Sequence, residues 1–415
     1  MTDVNFNNKQ LEAAQRLELF FSEGNRDNFL LSGYPGTGKT FVLSQMLQEI
    51  SPSIFDLAVC AFTHKAKGVA QAYLNSIGLD YSVFTINKLL GLSPDIDEDG
   101  KQEFSKQSER PPIYNYRYVW VDECSMINAD LFMGLQGKPV RYIYTGDQYQ
   151  LLPINEVSFP VFDYFKRSGH PHIHLTKPER YSGPIADVVY EGLYHVMNRE
   201  LFRYENYCPY TDDCTYKSKW FDDWVDNPNE KVVLTFTNNH VDTINQKCRD
   251  YVLGVDAPEY VVGEQLLTYA PIYDSRGAAM VPNGEIITVS NVEQNFLTIG
   301  SETFKAWELK LLGYSETIRT VFKSERKPLK KYLDQMEVDA KAKKIYWPDY
   351  YAAKGASAVV KPTYALTIHK SQGSGYHSVY VVDSFRFCKD RDLQPRLHYV
   401  AMSRAKSFLC YSSRP

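Results

Sequence analysis

The chain has 415 residues, a length typical of about two to four domains and too long for one compact domain. A hydrophobic content of 44% and a charged content of 23% exclude a disordered or fibrous protein. The net charge of −4 excludes a globally basic nucleic-acid binder, so any contact with nucleic acid must depend on local basic or aromatic surface.

The cysteines and the first residues bear on the cellular compartment. Seven cysteines without a C-x-x-C pair predict reduced thiols. Cys208 and Cys214 are the nearest neighbours, and His195 and His240 are too isolated to complete a metal site with them. The first residues lack the basic and apolar regions of a signal peptide, and no apolar run approaches the roughly 18 residues of a membrane span. We therefore expect a cytoplasmic protein without a membrane partner, in the host cytoplasm if the chain is phage-encoded.

A glycine-rich turn lies between a predicted strand and a predicted helix near the start of the chain. The apolar run 29–31 ends at this turn, which fits the spacing G-x-x-x-x-G-K-[ST]. Glycines let backbone N–H groups converge on phosphate oxygens, while Lys39 would reach the β/γ-phosphates and Thr40 would bind Mg²⁺ through its hydroxyl. A predicted helix over residues 8–21 precedes the turn, and its Gln10 is either an adenine-reading amide or a solvated surface residue. The nucleotide-binding candidates are Gln10, Gly33, Pro35, Gly36, Thr37, Gly38, Lys39 and Thr40.

Polar side chains follow the next predicted strand, residues 57–62, at the end where α/β sheets place ligand contacts. A hydroxyl, an imidazole and an ammonium group in succession suit a phosphodiester backbone, although polar residues that begin a helix need no ligand. A second turn of this kind, near residue 85, is a weaker signal by itself. The candidates for nucleic-acid contact here are Thr63, His64, Lys65, Thr85 and Asn87.

Apolar periodicity lapses over residues 92–112. Asp99-Gly100 is a turn signal, which predicts a small hairpin inserted in the first domain. Its aromatic residue, Phe104, is a candidate strand-separating wedge. A solvated acidic loop is the alternative interpretation of the same residues.

The apolar run 116–121 leads directly into Asp122 and Glu123. An isolated Asp-Glu pair is usually a pair of surface carboxylates. After a strand and downstream of a P-loop, however, Asp122 would hold Mg²⁺ and Glu123 would orient or deprotonate the attacking water. The two patterns together predict hydrolysis of ATP.

A further apolar run, residues 140–144, is followed by Thr-Gly-Asp-Gln-Tyr-Gln-Leu-Leu-Pro at 145–153. This segment resembles the γ-phosphate sensor motif of superfamily 1 helicases. The resemblance is greatest to the RecD-like B branch and, within it, to phage members. Four later segments resemble motifs of the same family in the same order, so that the resemblance extends from residue 10 to residue 406. These segments are 175–181, 233–239, 364–373 and 399–406.

The resemblance implies an ATP-dependent DNA helicase that translocates 5′ to 3′. It makes Gln150 the γ-phosphate sensor and Arg180 and Arg404 arginine fingers that reach ATP from a second domain. It implies the cofactors ATP and Mg²⁺, single-stranded and fork DNA as partners, possible contacts with replication or recombination proteins, and activity as a monomer. Together with the carboxylates, the implied catalytic residues are Lys39, Asp122, Glu123, Gln150, Arg180 and Arg404, with Thr40 and Asp122 at the metal and Gly373 at the nucleotide. The implied DNA contacts in the second domain are Thr237, Asn238, Thr367, His369, Lys370 and Ser371.

Two positions depart from the family pattern. Asn87 stands where the B branch has histidine, and Phe62 stands where it has proline. Asparagine still bonds to phosphate and Phe62 is compatible with a core position. These departures therefore weaken the prediction of individual DNA contacts but not the prediction of the reaction.

We expect an α/β fold with two RecA-like parallel-sheet domains of the P-loop NTPase type. Short β-rich runs punctuated by Asn283-Gly284 predict strands that form an SH3-like barrel inserted in the second domain; the runs are 260–262, 265–269, 285–289, 306–310 and 317–322. A basic helix over 323–344 and an aromatic cluster at 346–351 are expected to follow. The basic helix either braces DNA or is simply solvated. The expected boundaries are 1–91 and 113–174 for the first domain, 92–112 for its hairpin, 175–254 and 362–415 for the second domain, and 255–361 for its insertion.

Two other activities are compatible with these patterns. One is a DNA-stimulated translocase that displaces proteins without unwinding duplexes. The other is a DNA-binding or loading factor that uses ATP as a switch, although Glu123, Gln150 and both arginines argue for turnover. The choice between DNA and RNA is open, because these motifs contact the backbone.

Overall fold

The computed structural model describes residues 5–23, 27–62, 64–96, 102–106, 110–153, 156–202, 231–274, 279–385 and 388–412. Up to residue 175, the helices are α1 (Asn8–Ser22), α2 (Lys39–Ile50), α3 (His64–Ser76), α4 (Ile86–Leu89), α5 (Ala129–Leu135) and α6 (Pro160–Ser168). The strands of this part are β1 (Phe29–Gly33), β2 (Leu57–Ala61), β3 (Ser82–Thr85), β4 (Leu92–Ile96), β5 (Gln102–Lys106), β6 (Tyr118–Val121), β7 (Arg141–Gly146) and β8 (His172–Leu175).

The second part has the helices α7 (Pro184–Asn198), α8 (Asn238–Leu253), α9 (Arg326–Lys341), α10 (Trp347–Gly355) and α11 (Leu393–Met402). Its strands are β9 (Lys231–Thr235), β10 (Gln265–Thr268), β11 (Ile272–Tyr273), β12 (Ala279–Val281), β13 (Ile286–Ile299), β14 (Glu302–Leu311), β15 (Thr317–Val321), β16 (Val360–Pro362), β17 (Ala365–Thr367), β18 (Tyr376–Val382) and β19 (Ala405–Ser412). Short 3₁₀ turns occur at Pro112–Asn115, Cys124–Met126, Lys323–Glu325 and His369–Ser371.

The first domain is built on a parallel six-stranded sheet in the order β3-β2-β6-β7-β1-β8. Its four inner strands, β1, β2, β6 and β7, are buried along their whole length because both faces of the sheet are covered, whereas the edge strands β3 and β8 are only partly buried. In β2, Leu57 and Val59 join one hydrophobic cluster, while Ala58 and Cys60 join the cluster on the opposite face. Because the strands are parallel, the carboxyl ends of β1, β6 and β7 lie along one edge of the sheet, where the nucleotide motifs are found.

The second domain has a parallel four-stranded sheet in the order β17-β9-β18-β19. Helices α7 and α11 pack together in its largest cluster, which includes Val188, Leu193 and Tyr399. The two parallel sheets confirm the predicted RecA-like architecture. Strand β8 ends at Leu175 within the first sheet, one residue past the expected boundary.

Both predicted insertions contain β-structure. In the first domain, β4 and β5 pair as an antiparallel hairpin, with Phe104 opposite Pro94. In the second, β15-β14-β13-β10-β16 form an antiparallel five-stranded sheet. The β-rich character of this insertion is thus confirmed, while its closure into an SH3-like barrel stays a prediction.

The prediction of strand structure at residues 260–262 is wrong. This segment is irregular and is held by Glu264, whose carboxylate accepts from Val261 N at 3.2 Å and from Arg249 Nε at 2.7 Å. Arg249 and Glu264 are both buried. The Glu264 carboxylate therefore provides a hydrogen-bond acceptor for the backbone of this segment, which pairs with none of the described strands.

Two predictions about side-chain chemistry and membranes can be compared with the described residues. Cys60, Cys124, Cys248, Cys388 and Cys410 are free thiols. Cys208 and Cys214 lie outside the described residues. Among the helices of the described ranges, none combines the length and the apolar character that a bilayer span requires.

Candidate active site

The glycine-rich turn between β1 and α2 adopts backbone angles that favour glycine. Gly36 has φ +75° and Gly38 has φ +85°. A Cβ at Gly38 would lie 2.7 Å from Gln10 Nε2, and a Cβ at Gly36 would lie 2.6 Å from Arg180 Cβ. The turn is therefore packed against α1 on one side and against the segment leading to the second domain on the other.

Lys39 lies at the start of α2 and is folded over the turn. Its Nζ donates to the carbonyl oxygens of Gly33 at 2.8 Å and Tyr34 at 3.1 Å. Burial lowers the pKa of Lys39, and the negative charge of Asp147 opposes this shift most strongly. The ammonium group is thus held within the loop that the spacing predicts to cradle phosphate.

Gln10 is buried and both ends of its amide are engaged. Its Oε1 accepts from Asn7 N at 3.0 Å, and its Nε2 donates to the carbonyl of Thr37 at 3.1 Å. The solvated alternative for Gln10 is therefore wrong. Thr37 is also buried, and its hydroxyl donates to Tyr34 O at 2.8 Å. Contact of Gln10 with adenine stays a prediction.

Asp122 and Glu123 lie directly after β6. Asp122 Oδ1 accepts from Thr145 Oγ1 at 2.6 Å and from Glu123 N at 3.0 Å, and Thr145 accepts in turn from Trp120 Nε1 at 2.9 Å. Burial, followed by the neighbouring charge of Glu123, raises the pKa of Asp122 to about 6. The orientation of the first carboxylate is therefore fixed by a chain of hydrogen bonds from the adjacent strand.

Glu123 and Gln150 each have a buried side-chain oxygen in the region where the two domains meet, which is called the cleft. Glu123 has φ +51°, a left-handed conformation that is uncommon outside glycine. Glu123 Oε2 and Gln150 Oε1 are buried, and neither has a hydrogen-bond partner in the described part of the chain. Such orphaned acceptors are costly and mark positions where a ligand is expected to supply the partner. Gly373 approaches from the second domain, since a Cβ there would lie 4.0 Å from Glu123 Cγ.

The two predicted arginine fingers differ in environment. Arg404 is buried, and its three side-chain nitrogens donate to Val400 O at 3.1 Å, Ser374 O at 3.2 Å and Ser403 Oγ at 3.0 Å. Burial lowers the pKa of Arg404, while Glu123 opposes this shift and Arg180 adds to it. Arg180 is exposed. Both guanidinium groups therefore act electrostatically on the same cleft as the carboxylates of the first domain.

The loop after β7 joins the two domains. Asp147 is buried, and its Oδ2 accepts from Tyr399 Oη at 2.9 Å. Arg396 Nη1 donates to Gln148 O at 2.9 Å and to Gln150 O at 2.7 Å. Sequence reasoning missed Arg396 and Tyr399 as site residues. Tyr399 lies within the segment 399–406 that resembles a helicase motif, so the sequence could have indicated it. No local pattern marks Arg396.

The candidate DNA contacts of the first domain lie at the ends of β2 and β3. Thr63 falls outside the described residues, as do the side chains of His64, Lys65 and Phe104. Thr85 caps α4 by accepting from Lys88 N at 3.5 Å, and Asn87 Oδ1 is buried without a hydrogen-bond partner among the described residues. Phe62 is partly buried against the core, as the sequence allowed.

The candidate DNA contacts of the second domain lie at two turns. Thr237 caps α8 by accepting from His240 N at 3.3 Å, and Asn238 is exposed. Thr367 accepts from Lys370 N at 3.3 Å, and His369 is exposed. The hydroxyl of Ser371 is buried and donates to Ile368 O at 2.7 Å, so this side chain stabilises the turn.

Lys370 lies 3.2 Å from the centroid of the Tyr269 ring, measured from its Nζ. Burial, followed by the charge of Lys361, lowers the pKa of Lys370 to about 8. Tyr269 follows β10, so this contact joins the turn to the β-rich insertion.

Comparison with known proteins identifies two family models and a set of solved structures. A model described as an AAA domain matches residues 17–156, and one described as a UvrD-like helicase C-terminal domain matches residues 362–409. The crystal structure of a Pif1 helicase from Bacteroides in complex with ADP-AlF3 and ssDNA superposes with a TM-score of 0.56 at 18% identity, covering 99% of this chain and 92% of that one. Pif1 helicase from Candida albicans gives a TM-score of 0.51 at 15% identity, covering 99% and 95%. The chain has the fold of the Pif1 helicases.

The sequence relatives are also distant. An uncharacterized protein of Acanthamoeba polyphaga mimivirus is 24% identical over 91% of this chain and 93% of its own length. The DNA replication ATP-dependent helicase/nuclease DNA2 of Saccharomyces cerevisiae is 22% identical over 60% of this chain, which spans only 19% of that relative. Together with the Pif1 fold, these matches support the predicted enzyme class, an ATP-dependent DNA helicase.

The two family models coincide with the two halves of the cleft. The AAA match contains the P-loop, the carboxylate pair and Gln150, while the UvrD-like match contains His369, Lys370 and Arg404. The Pif1 fold therefore brings together residues from both ends of the chain.

Proposed function

We propose that this chain hydrolyses ATP at the cleft between its two RecA-like domains in order to move 5′ to 3′ along single-stranded DNA and unwind duplexes. One observation carries the ATP part of the proposal: residues of both domains meet at one cleft, since a Cβ at Gly36 would lie 2.6 Å from Arg180 Cβ and a Cβ at Gly373 would lie 4.0 Å from Glu123 Cγ. Asp147, Glu123 and Asp122 raise the pKa of Lys39 against the effect of burial, and Arg180 lowers it. Opposite charges arranged in this way suit the transfer of a phosphoryl group between two closing domains.

The residues present fit Mg²⁺ and ATP. The Thr40 hydroxyl and the Asp122 carboxylate are oxygen ligands, which Mg²⁺ prefers. Burial beside Glu123 already disfavours ionisation of Asp122, and a divalent cation would reverse that effect. Bound at these residues, Mg²⁺ would neutralise charge on the phosphates.

The side chains at the cleft have separate roles in the proposed hydrolysis. Lys39 holds phosphate charge at the P-loop, and Glu123 orients the attacking water through its orphaned Oε2. Gln150 senses the γ-phosphate. To reach that phosphate, Arg404 must exchange its hydrogen bonds with Val400 O and Ser374 O for bonds to phosphate oxygens. Hydrolysis is thereby tied to closure of the two domains.

The direction of movement and a specific kinship with the phage Dda helicase rest on the motif resemblance. Action as a monomer in the cytoplasm, alongside replication or recombination proteins, belongs to the same proposal. Single-stranded and fork DNA are the proposed substrates, by analogy with a Pif1 structure described as bound to ssDNA and with another described as the structural basis for DNA unwinding at forked dsDNA.

Strand displacement on forks that carry only one single-stranded tail tests the direction. We expect displacement with a 5′ tail and none with a 3′ tail, under conditions in which single-stranded DNA stimulates ATP hydrolysis. Displacement with the 3′ tail alone would overturn the proposed direction. Hydrolysis that single-stranded DNA does not stimulate would instead favour the ATP-switched loading factor.

The hairpin of β4 and β5 distinguishes a helicase from a translocase that only strips proteins. Its presence favours the helicase, since an antiparallel hairpin inserted in the first domain suits a strand-separating wedge. Phe104→Ala is expected to reduce duplex unwinding while DNA-stimulated ATP hydrolysis is retained. Phe55→Ala is the matched control, because Phe55 is 77% exposed on another loop of the same domain. Unchanged unwinding in Phe104→Ala would exclude this residue as the wedge.

A further inference from the structure

A single side chain of the second domain holds the backbone of the loop after β7 at two positions; this loop, residues 147–153, carries the predicted γ-phosphate sensor Gln150 and is called the sensor loop. Arg396 projects from α11, and its Nη1 donates to the carbonyl oxygens of Gln148 at 2.9 Å and Gln150 at 2.7 Å. These carbonyls are two residues apart and enclose Tyr149. The backbone on which the Gln150 side chain stands is therefore fixed from the opposite domain.

The environment of Arg396 makes these bonds strong. Its guanidinium lies 5.2 Å from the centroid of the Phe159 ring, and burial lowers the pKa of Arg396. The group remains charged because arginine does not lose its proton in proteins. Hydrogen bonds from a charged donor are roughly twice as strong as neutral ones, and exclusion of water increases their effect.

The same helix connects this contact to the arginine finger. Tyr399, three residues after Arg396, donates to Asp147 Oδ2 at 2.9 Å, so α11 binds the loop at its first residue as well. Arg404 follows the helix directly, and its Nε donates to Val400 O in the last turn of α11 at 3.1 Å. One rigid helix thus contacts the sensor loop on one side and holds the finger on the other.

We infer that Arg396 is a positioning residue that couples the sensor Gln150 to the movement of the second domain. Because the bonds of Arg396 to the described part of the loop are to backbone carbonyl oxygens, it acts on the nucleotide through Gln150. When α11 shifts with the second domain, the loop shifts with it, so Gln150 and Arg404 reach the γ-phosphate together. This inference rests on the proposed ATPase function and adds the residue that links its two γ-phosphate contacts.

A double-mutant cycle tests this role. The variants are Arg396→Met, Gln150→Ala and the two combined, with kcat and KM for ATP measured in the presence of single-stranded DNA. Arg396→Met is expected to lower kcat about ten- to hundredfold, the cost of misplacing a catalytic group, while KM changes little. In the Gln150→Ala background the same substitution should have almost no further effect on kcat.

Two further variants separate positioning from general stability. Arg396→Lys retains a charged donor that one or both carbonyls can accept, so part of the lost kcat should return. Arg199→Met is the matched control, since Arg199 Nε pairs with Asp392 of its own domain at 3.0 Å. Its kcat should equal that of the wild-type chain. Thermal unfolding of every variant shows whether a lower kcat reflects loss of fold.

The possible results are distinct. A wild-type kcat in Arg396→Met, or effects of Arg396→Met and Gln150→Ala that multiply independently, would overturn the inference. A loss of kcat that follows the unfolding temperature and is not recovered by lysine would also overturn it. A wild-type chain without DNA-stimulated hydrolysis would refute the proposed function itself.

Discussion

The two sides of the proposed ATP cleft differ in how their polar side chains are hydrogen-bonded. On the first-domain side, Glu123 Oε2 and Gln150 Oε1 are buried acceptors without a hydrogen-bond partner among the described residues. On the second-domain side, each side-chain nitrogen of Arg404 already donates to an oxygen of its own domain. The first domain therefore presents groups that can accept a ligand as they stand, whereas the second must exchange existing bonds. Under the proposed function, the first domain would therefore set up the chemistry and the second would control its timing.

Removal of the finger should have the largest effect on this division. Arg404→Ala is expected to lower kcat for ATP hydrolysis about 10³- to 10⁵-fold, because an arginine finger stabilises transition-state charge. Binding of a fluorescent ATP analogue should change far less, since the P-loop lies in the first domain. Arg404→Lys keeps the charge but loses the planar fork, so it should recover little. Near-normal turnover in Arg404→Ala would show that the second domain does not control the reaction.

Removal of the P-loop lysine tests the first-domain side. Lys39→Ala is expected to lower kcat about 10²- to 10³-fold, the cost of losing one preorganised charge at the phosphates. Single-stranded DNA binding, measured by fluorescence anisotropy, should be retained, because Lys39 serves phosphate charge at the ATP cleft. Lys9→Ala provides the control, since Lys9 is an exposed lysine paired with Glu12 at 2.8 Å. Equal loss of turnover and DNA binding in Lys39→Ala would indicate misfolding.

A smaller effect is expected from pH at the turn of the second domain that is predicted to contact DNA. The pKa of Lys370 is lowered to about 8 by burial and by Lys361, so its ammonium is charged below pH 8 and neutral above it. Affinity for single-stranded DNA should therefore fall as pH rises from 7 to 9, by at most about tenfold for one contact. Lys370→Arg should abolish this pH dependence. An unchanged pH profile in that variant would exclude Lys370 as the titrating contact.

The sequence predicted those parts of the site whose geometry is local. The P-loop and the Asp122-Glu123 pair each follow a strand directly, so residue spacing alone places their side chains at the sheet edge. The loop contacts of Arg396 were not predictable in this way, because its partners lie 248 and 246 residues away. Such a contact depends on how two domains pack, and it leaves no periodic signal in either segment.

The insertion shows the same limit for secondary structure. The sequence predicted a strand over residues 285–289, whereas β13 continues to Ile299. Residues 293–296 of this strand are exposed on both faces, so the apolar alternation that marks a strand is interrupted there. Pairing with β14 over these residues supplies the stabilisation that the local sequence does not indicate.

The left-handed backbone of Glu123 has a consequence for how this enzyme can change. A non-glycine residue at φ +51° costs on the order of 1–3 kcal/mol. Glu123→Gly would relieve this strain and also remove a buried, unpartnered oxygen. We expect that variant to melt at a higher temperature in calorimetry while ATP hydrolysis disappears. If Glu123 has the proposed catalytic role, selection for thermal stability alone would favour loss of this carboxylate, whereas selection for ATP hydrolysis would retain it.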